Sequence, residues 1–165
     1  GDIRVESDTG IGSKFIFTIK ANAIQNYTEK EKNSEIHAAI PTNIKILVAE
    51  DNELNKKIVV ALLKKLNIET DVASNGVEVL ELLKQKEYVL ILMDIEMPVM
   101  DGNEATARIK SDIKHKIIKA VAVIPHALTG ERQRIFNQGF DDYLTKPIRL
   151  TDLRDLLLKW NQLGR

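Results

Sequence analysis

Three acidic residues and one lysine occupy positions in the sequence from which they could support phosphoryl-transfer chemistry. Glu50 and Asp51 follow the apolar run IKILVA, Asp94 follows YVLILM, and Lys146 follows the short segment DYLT. An apolar run that ends at turn residues is typical of a strand buried on both faces, as in a parallel sheet covered by helices. Because the carboxyl ends of parallel strands meet at one edge of a sheet, we expect these four side chains to converge there.

A cluster of this kind requires a compensating cation, because neighbouring carboxylates repel one another and resist joint ionisation. Mg²⁺ suits the site best, since it prefers oxygen ligands and is commonly shared between one or two carboxylates and a phosphate. A carboxylate can also be the nucleophile in phosphoryl transfer and form an acyl phosphate. We therefore predict that Asp94 is the nucleophile and that Glu50 and Asp51 hold Mg²⁺.

Each of these residues also has an ordinary structural explanation when it is considered alone. Asp51 or Asn52 could cap a helix, Asp94 could begin a turn, and the amine of Lys146 could be solvated. The occurrence of all of them at the ends of predicted strands favours a shared site over independent structural roles.

The elements that would position the cluster alternate between strand and helix from Ile44 onward, with short connections. Strands are predicted at residues 44–49, 68–73, 88–93, 117–124 and 142–145. Helices are predicted at residues 53–66, 76–85, 103–111, 130–138 and 150–163. This alternation is typical of βα units that build one parallel sheet, so we predict an α/β fold.

Apolar residues recur at helical spacing on the first and last of these helices. The first carries Leu54, Ile58, Ala61, Leu62 and Leu66, and the last carries Leu153, Leu156, Leu157 and Trp160. Such stripes usually face the core of a globular domain. We therefore predict that both sets are buried against the sheet.

The first 43 residues are organised differently from the rest of the chain. Residues 1–20 alternate apolar and polar side chains around the sequence TGIG, which predicts a β-hairpin. The GIGS sequence could be mistaken for a phosphate-binding loop, but its position between alternating segments favours a hairpin turn. Residues 21–43 are polar and aperiodic with a charged EKEK centre, as is typical of a flexible linker.

Composition excludes several classes of function. The 24 basic and 24 acidic side chains cancel, so no nucleic-acid partner is expected. Cysteine is absent, which excludes a disulfide framework or a thiolate metal site and fits a reducing, cytoplasmic compartment. No apolar run approaches the ~20 residues that a membrane span needs. We therefore expect no membrane contact by this fragment.

The segment from Ile44 to about Leu163 resembles the receiver domain of two-component response regulators through three motifs, VAEDNELN, LMDIEMPVMDG and DDYLTKPI. The resemblance implies a flavodoxin-like, doubly wound five-stranded parallel sheet of order 2-1-3-4-5. It also implies roles for individual residues. Asp94 would be the phosphoacceptor, and Mg²⁺ would be bound by Asp94, Glu50, Asp51 and the backbone carbonyl of Glu96. Lys146 would contact the phosphoryl group. Tyr143 would occupy the aromatic switch position.

The opening sequence GDIRVESDTGIGSKFIFTI resembles the last two strands of the ATP-binding domain of sensor histidine kinases. In hybrid kinases this pattern commonly precedes a receiver domain. The resemblance implies a hairpin remnant at 1–20, a linker at 21–43 and a receiver at 44–163. The parent chain would be a sensor histidine kinase, which could be anchored in a membrane, and the donor would be a phosphohistidine of a kinase or of a histidine phosphotransfer domain.

This chain by itself is not expected to act as a kinase. The Asn-containing and Gly-rich boxes that bind the nucleotide in sensor histidine kinases are missing from it. None of His37, His115 or His126 lies in a phosphoacceptor-histidine motif.

One position departs from the receiver pattern and leaves two functions open. After the predicted fourth strand, Ile124 and Pro125 replace the usual Thr or Ser and the small residue that follows it. Isoleucine has no hydroxyl and proline has no backbone N–H to bond a phosphoryl oxygen. The domain is therefore either a phosphorylatable switch or a pseudo-receiver that serves as an interaction module. A phosphatase with an Asp nucleophile is disfavoured, because those enzymes usually carry a DxD pattern after their first strand.

Overall fold

The computed structural model describes residues 1–8, 10, 12–18, 20, 44–125 and 131–162. They fall into two units, an N-terminal hairpin and a larger α/β unit. The predicted linker at 21–43 lies outside the described residues, as do His37 and His126.

The N-terminal unit is an antiparallel hairpin of two strands, which confirms the prediction for this segment. Strand β1 (Asp2–Asp8) pairs with β2 (Gly12–Thr18) from the first residue of β1 to the last. Gly10 and Gly12 in the connection have φ values of 84° and 125°, a region in which glycine is strongly favoured. The apolar side chains of the hairpin, Ile3, Val5, Phe15 and Phe17, are exposed.

The larger unit consists of five strands and five helices in strict alternation. Its strands are β3 (Lys45–Ala49), β4 (Glu69–Ala73), β5 (Leu90–Asp94), β6 (Lys119–Ile124) and β7 (Asp142–Thr145). Its helices are α1 (Glu53–Lys65), α2 (Gly76–Gln85), α3 (Gly102–Ser111), α4 (Glu131–Asn137) and α5 (Leu150–Gln162). The strands form one parallel sheet of order β4-β3-β5-β6-β7, which is the predicted order 2-1-3-4-5.

The sheet has an apolar layer on each face, and its central strand, β5, contributes residues to both layers. Ile91 and Met93 face the layer covered by α2, α3 and α4, whereas Leu90 and Leu92 face the layer covered by α1 and α5. All five residues of β5 are buried. The strand begins two residues later than predicted and includes Asp94, so the carboxylate belongs to the most enclosed strand of the sheet.

The predicted apolar stripe on α5 is confirmed, because Leu153, Leu156 and Leu157 are buried. Trp160 is half-buried and packs against the same layer. The amine of Lys119 lies 4.7 Å from the centre of the Trp160 ring and that of Lys159 lies 5.3 Å from it.

The predicted stripe on α1 is wrong for most of its members. Leu54 and Ile58 are 68% and 47% exposed, Ala61 is also exposed and Leu62 is only half-buried. The helix has a second set at helical spacing, and that set faces the sheet: Lys56, Val59 and Leu63, with Leu66 just beyond the helix. The stripe that contains Lys56 can be buried because the lysine amine bonds the carboxylate of Glu53 and the hydroxyl of Ser74, the latter at 3.0 Å.

Candidate functional site

Three carboxylates meet at the carboxyl edge of the sheet. Glu50 directly follows β3 and Asp94 ends β5, the neighbouring strand. These two residues are 4% and 5% exposed, whereas Asp51 is exposed. One carboxylate oxygen from each of the three lies within 4.8 Å of the others. The structure thus brings together the acidic residues that the sequence placed at strand ends.

Lys146 joins this cluster from the end of β7. Its amine lies 2.6 Å from Asp94 Oδ2 and 2.8 Å from Glu50 Oε2. Its backbone N–H donates to the carbonyl of Ile124 over 2.8 Å, which ties the residue to the adjacent strand β6. The lysine is therefore a fixed bridge between the two buried acids rather than a solvated side chain.

The remaining oxygens of the buried acids are oriented by short-range hydrogen bonds. Asp94 Oδ1 accepts from the backbone N–H of Glu96 at 3.2 Å. Glu50 Oε1 accepts from the backbone N–H of Asn52 at 3.3 Å and from the side-chain amide of Asn55 at 3.1 Å. The role of Asn55 was missed from the sequence, although its position one helical turn after the acidic pair was a usable signal.

Asn52, and not Asp51, caps the helix that follows β3. Its side-chain oxygen accepts from the backbone N–H groups of Leu54 and Asn55 at 3.0 and 3.2 Å. This interaction satisfies two of the free N–H groups at the start of α1. It also leaves the carboxylate of Asp51 available to the acidic cluster.

Burial and ion pairing act in opposite directions on the charges of the site. Burial raises the pKa of Asp94 above its ordinary value, with a smaller contribution from the Glu50 charge, and Lys146 only partly opposes this rise. Burial alone would lower the pKa of Lys146, but its hydrogen bonds to Asp94 and Glu50 raise it. The lysine stays charged while Asp94 resists ionisation, so an additional cation beside Asp94 would stabilise its carboxylate.

The turn after Asp94 depends on Gly102, the first residue of α3. Its backbone N–H donates to the carbonyl of Ile95 over 2.9 Å, and Asp101 caps the helix by accepting from the backbone N–H of Glu104 at 2.8 Å. A Cβ atom at Gly102 would lie 2.2 Å from the Asp94 carbonyl oxygen. The Asp-Gly pair therefore lets α3 start in direct contact with the end of β5.

The wall formed by the end of β6 offers few donors to a group bound at Asp94. Val123 is paired with Asp94, and the next residue, Ile124, is only 4% exposed. Pro125 follows it and has no N–H. Tyr143 in β7 is paired with Ala122 and packs half-buried against the apolar layer below α4.

The donor set of the cluster fits a hard divalent cation. All three acidic residues supply carboxylate oxygens, and two of these residues are held in place by the hydrogen bonds described above. Mg²⁺ is bound by such oxygens together with water and phosphate. The acidic cluster is thus a group that could bind a metal ion.

Addition of Mg²⁺ is expected to raise the melting temperature of the protein. At ten times Kd the ion would stabilise the folded state by about 1.4 kcal/mol, which corresponds to roughly 5 °C for a domain of this size. Differential scanning fluorimetry with and without Mg²⁺ measures the shift. Asp51→Asn should reduce this shift in melting temperature, because it removes one carboxylate of the acidic cluster. Glu87→Gln, at the opposite edge of the sheet, should leave the shift unchanged. An equal shift in both variants would contradict the site.

A family model for the response regulator receiver domain matches residues 46–158, and the chain therefore belongs to the response regulator receiver family. Hybrid signal transduction histidine kinase G of Dictyostelium discoideum is 42% identical over 120 residues, which are 71% of this chain and 4% of that protein. The aerobic respiration control sensor protein ArcB of Escherichia coli is 31% identical over 160 residues, which are 97% of this chain and 20% of ArcB. The chain thus spans a small part of these relatives.

Solved receiver domains have the same fold. The receiver domain of the sensor histidine kinase PA1611 from Pseudomonas aeruginosa, with a magnesium ion in its active-site cleft, has a TM-score of 0.66 and 30% identity. The alignment covers 74% of this chain and 98% of that domain. The receiver domain of Ssk1 from Saccharomyces cerevisiae, crystallised with the histidine phosphotransfer protein Ypd1, has a TM-score of 0.70 and 29% identity over 76% of this chain and 92% of that chain.

Within residues 1–20, 44–125 and 131–162, apart from a few undescribed positions in the hairpin, no helix has the length and apolar character needed to cross a bilayer.

Proposed function

We propose that this receiver domain accepts a phosphoryl group from a phosphohistidine onto Asp94. The observation that carries the proposal is the pairing of the buried Asp94 carboxylate with Lys146 at 2.6 Å inside the acidic cluster. In the proposal, Glu50, Asp51, Asp94 and the backbone carbonyl of Glu96 hold Mg²⁺, and Lys146 contacts the phosphoryl group. Tyr143 occupies the switch position.

The transfer is a single displacement at phosphorus. A carboxylate oxygen of Asp94 attacks, a P–O bond forms, and the P–N bond of the phosphohistidine breaks with its electron pair going to the imidazole nitrogen. Bound Mg²⁺ would supply positive charge that offsets the charge of the phosphoryl oxygens. Lys146 can redirect its N–H donors from the two acids to those oxygens. The hydrogen bond from Glu96 N–H keeps the Asp94 carboxylate oriented at the edge of the sheet.

The surface beside the site suits an incoming helical partner. A groove of about 350 Å³ is lined by residues of α1 and of the segment after β7, among them Ile58, Pro147 and Ile148, together with Glu50 and Lys146 of the acidic site. Ile58 and Leu54, which lies one helical turn before it on α1, are both exposed. We propose that a histidine phosphotransfer domain, or the histidine domain of a kinase, docks here, as a helix lays its apolar face into a groove. The complex of the Ssk1 receiver with Ypd1 supports such a partner.

The parent protein is proposed to be a hybrid sensor histidine kinase, in which 1–20 end the ATP-binding domain, 21–43 form a linker and 44–163 form the receiver. The hybrid kinases and sensor proteins among the relatives support this arrangement. The fragment itself would carry no kinase activity. A cytoplasmic receiver in a parent chain anchored to a membrane is part of the same proposal.

Incubation with Mg²⁺ and acetyl phosphate is expected to add the mass of one phosphoryl group to the chain. Asp94→Asn should abolish this addition, because the amide is not a competent nucleophile. Asp101→Asn is the matched control, since asparagine also caps helices and the residue lies on the turn that follows the site. Intact-mass spectrometry reads the result. Phosphorylation that persists in Asp94→Asn would refute the proposal.

A second function is favoured by the buried Ile124 and by Pro125, which remove two donors from the wall beside Asp94. In this case the domain is a pseudo-receiver that binds partners without a phosphoryl-dependent change. The same mass measurement distinguishes the two functions when the double substitution Ile124→Thr, Pro125→Ala is included. Phosphorylation of the repaired chain alone would favour the pseudo-receiver, whereas phosphorylation of both chains would favour the switch.

A further inference from the structure

A second cavity, separate from the groove proposed for the helical partner, is lined by Asp94 itself. Its volume is about 120 Å³, and Asp94, Ile124 and Pro125 form the wall nearest the site. At ~30 Å³ for each water molecule, this space is large enough for a phosphoryl group and its immediate contacts. The cavity therefore adjoins the position at which the two family donors are missing.

Arg134 on α4 is the cationic residue among those lining this cavity, which the acidic residues Glu96 and Glu131 also line. Its side chain is exposed, and no ion pair engages it among the residues that the structure describes. Arg132, on the same helix, has its guanidinium 5.7 Å from the centre of the Phe136 ring and lines a different cavity. Arg134 is thus a guanidinium available to an anion beside Asp94, and its planar set of N–H donors matches phosphoryl oxygens.

The cavity also contains an acceptor that could orient this guanidinium. Asn103 Oδ1, contributed by α3, is buried and has no hydrogen-bond partner in the described part of the chain. A buried acceptor without a partner is costly, and an arginine N–H would satisfy it. Gln138, one helical turn after Arg134, lines the same cavity and adds a side-chain amide.

We infer that Arg134, oriented by Asn103, binds the oxygens of a phosphoryl group on Asp94 in place of the hydroxyl and backbone N–H that Ile124 and Pro125 cannot supply. The inference rests on the proposed phosphoacceptor function. Lys146 is shared between Glu50 and Asp94, so a dianionic phosphoryl group gains from a further cation on the opposite side. Ordering of Arg134 would also give α4 a phosphoryl-dependent contact.

The test is a titration with beryllium fluoride and Mg²⁺, which form a phosphoryl analogue on a receptive carboxylate. Arg134→Gln is expected to weaken binding by about tenfold to a hundredfold, the value of a hydrogen bond between charged groups. Arg134→Lys should restore part of the affinity, because it keeps the charge but loses the planar donors. Arg132→Gln is the matched control, since it removes the same charge from the same helix.

The chain in which Ile124→Thr and Pro125→Ala restore the two donors shows whether the effect of Arg134→Gln depends on their absence. In the chain with Ile124→Thr and Pro125→Ala, Arg134→Gln should weaken binding by less than about threefold, because the restored donors take over its role. Equal effects of Arg134→Gln and Arg132→Gln, or an equal effect of Arg134→Gln in both backgrounds, would overturn this inference and leave the proposed function intact. Failure of the unsubstituted chain to bind the analogue at all would overturn both proposals.

Discussion

Gly102→Ala is expected to lower the free energy of unfolding by about 3 kcal/mol or more. The added Cβ would lie 2.2 Å from the Asp94 carbonyl oxygen and 2.9 Å from Met93 Cγ. Overpacking of a core usually costs about 1–3 kcal/mol, and here the obstacle is backbone of the central strand, which cannot move without disturbing the site. Urea unfolding followed by circular dichroism measures the change.

Gly76→Ala provides a matched comparison. Gly76 is also the first residue of its helix and follows a capping residue, Asn75, as Gly102 follows Asp101, so any gain in helix propensity is similar in both variants. Its added Cβ would meet Met100 Cγ at 2.7 Å and Ala105 Cβ at 2.8 Å. The Met100 side chain is flexible and can move, whereas Ala105 Cβ can move only with α3, so we expect a loss of about 1–2 kcal/mol. Equal losses in the two variants would show that contact with the β5 backbone is not the decisive feature.

Lys146→Met is expected to destabilise the metal-free protein by about 2–3 kcal/mol at neutral pH. Methionine has a similar length, but it leaves the carboxylates of Glu50 and Asp94 buried without their cation. Removing one partner of a fully buried ion pair costs about 3–5 kcal/mol, and the loss here is smaller because Lys146 is partly exposed and solvent screens its charge. Unfolding in urea with a chelator present measures the loss.

The pH dependence of this loss follows from the direction of the Asp94 shift. Burial already raises the pKa of Asp94 above 3.8, and removal of Lys146 raises it further. Between the unfolded and folded pKa values the folded state holds more protons, so stability falls as the pH rises through this window. The defect of Lys146→Met should therefore be largest at neutral pH and should shrink on mild acidification.

A second substitution separates this charge effect from a simple loss of packing. Adding Asp94→Asn to Lys146→Met should recover most of the lost stability at neutral pH, because it removes one of the uncompensated charges. A loss that does not change with pH and is not recovered in the double variant would mean that the aliphatic part of Lys146, rather than its charge, stabilises the fold.

The sheet and its acidic edge were predictable because their signals are local and repeat along the chain. Each βα unit carries its own apolar run and turn, and parallel pairing then brings the strand ends together without further information. Glu50, Asp51, Asp94 and Lys146 could therefore be assigned to one edge from their positions after predicted strands. The structure adds the distances and the sharing of the Lys146 amine between two acids.

The buried face of α1 and the cavity beside Asp94 could not be predicted in the same way, because no local sequence pattern determines them. Helix α1 carries two sets of residues at helical spacing, and the set that contains Lys56 is buried because distant Ser74 helps to satisfy its amine. The cavity that includes Asn103 and Arg134 is formed by helices whose relative placement no local pattern specifies. Tertiary packing determines both features.

Trp160 gives the molecule a single natural fluorophore, since the chain contains one tryptophan. The indole lies on α5 beside the amines of Lys119 and Lys159 and packs against the apolar layer below that helix. Its fluorescence emission therefore reports on the packing of α5 against the sheet. Spectral changes in this protein can be assigned to that contact without a label and without contributions from other indoles.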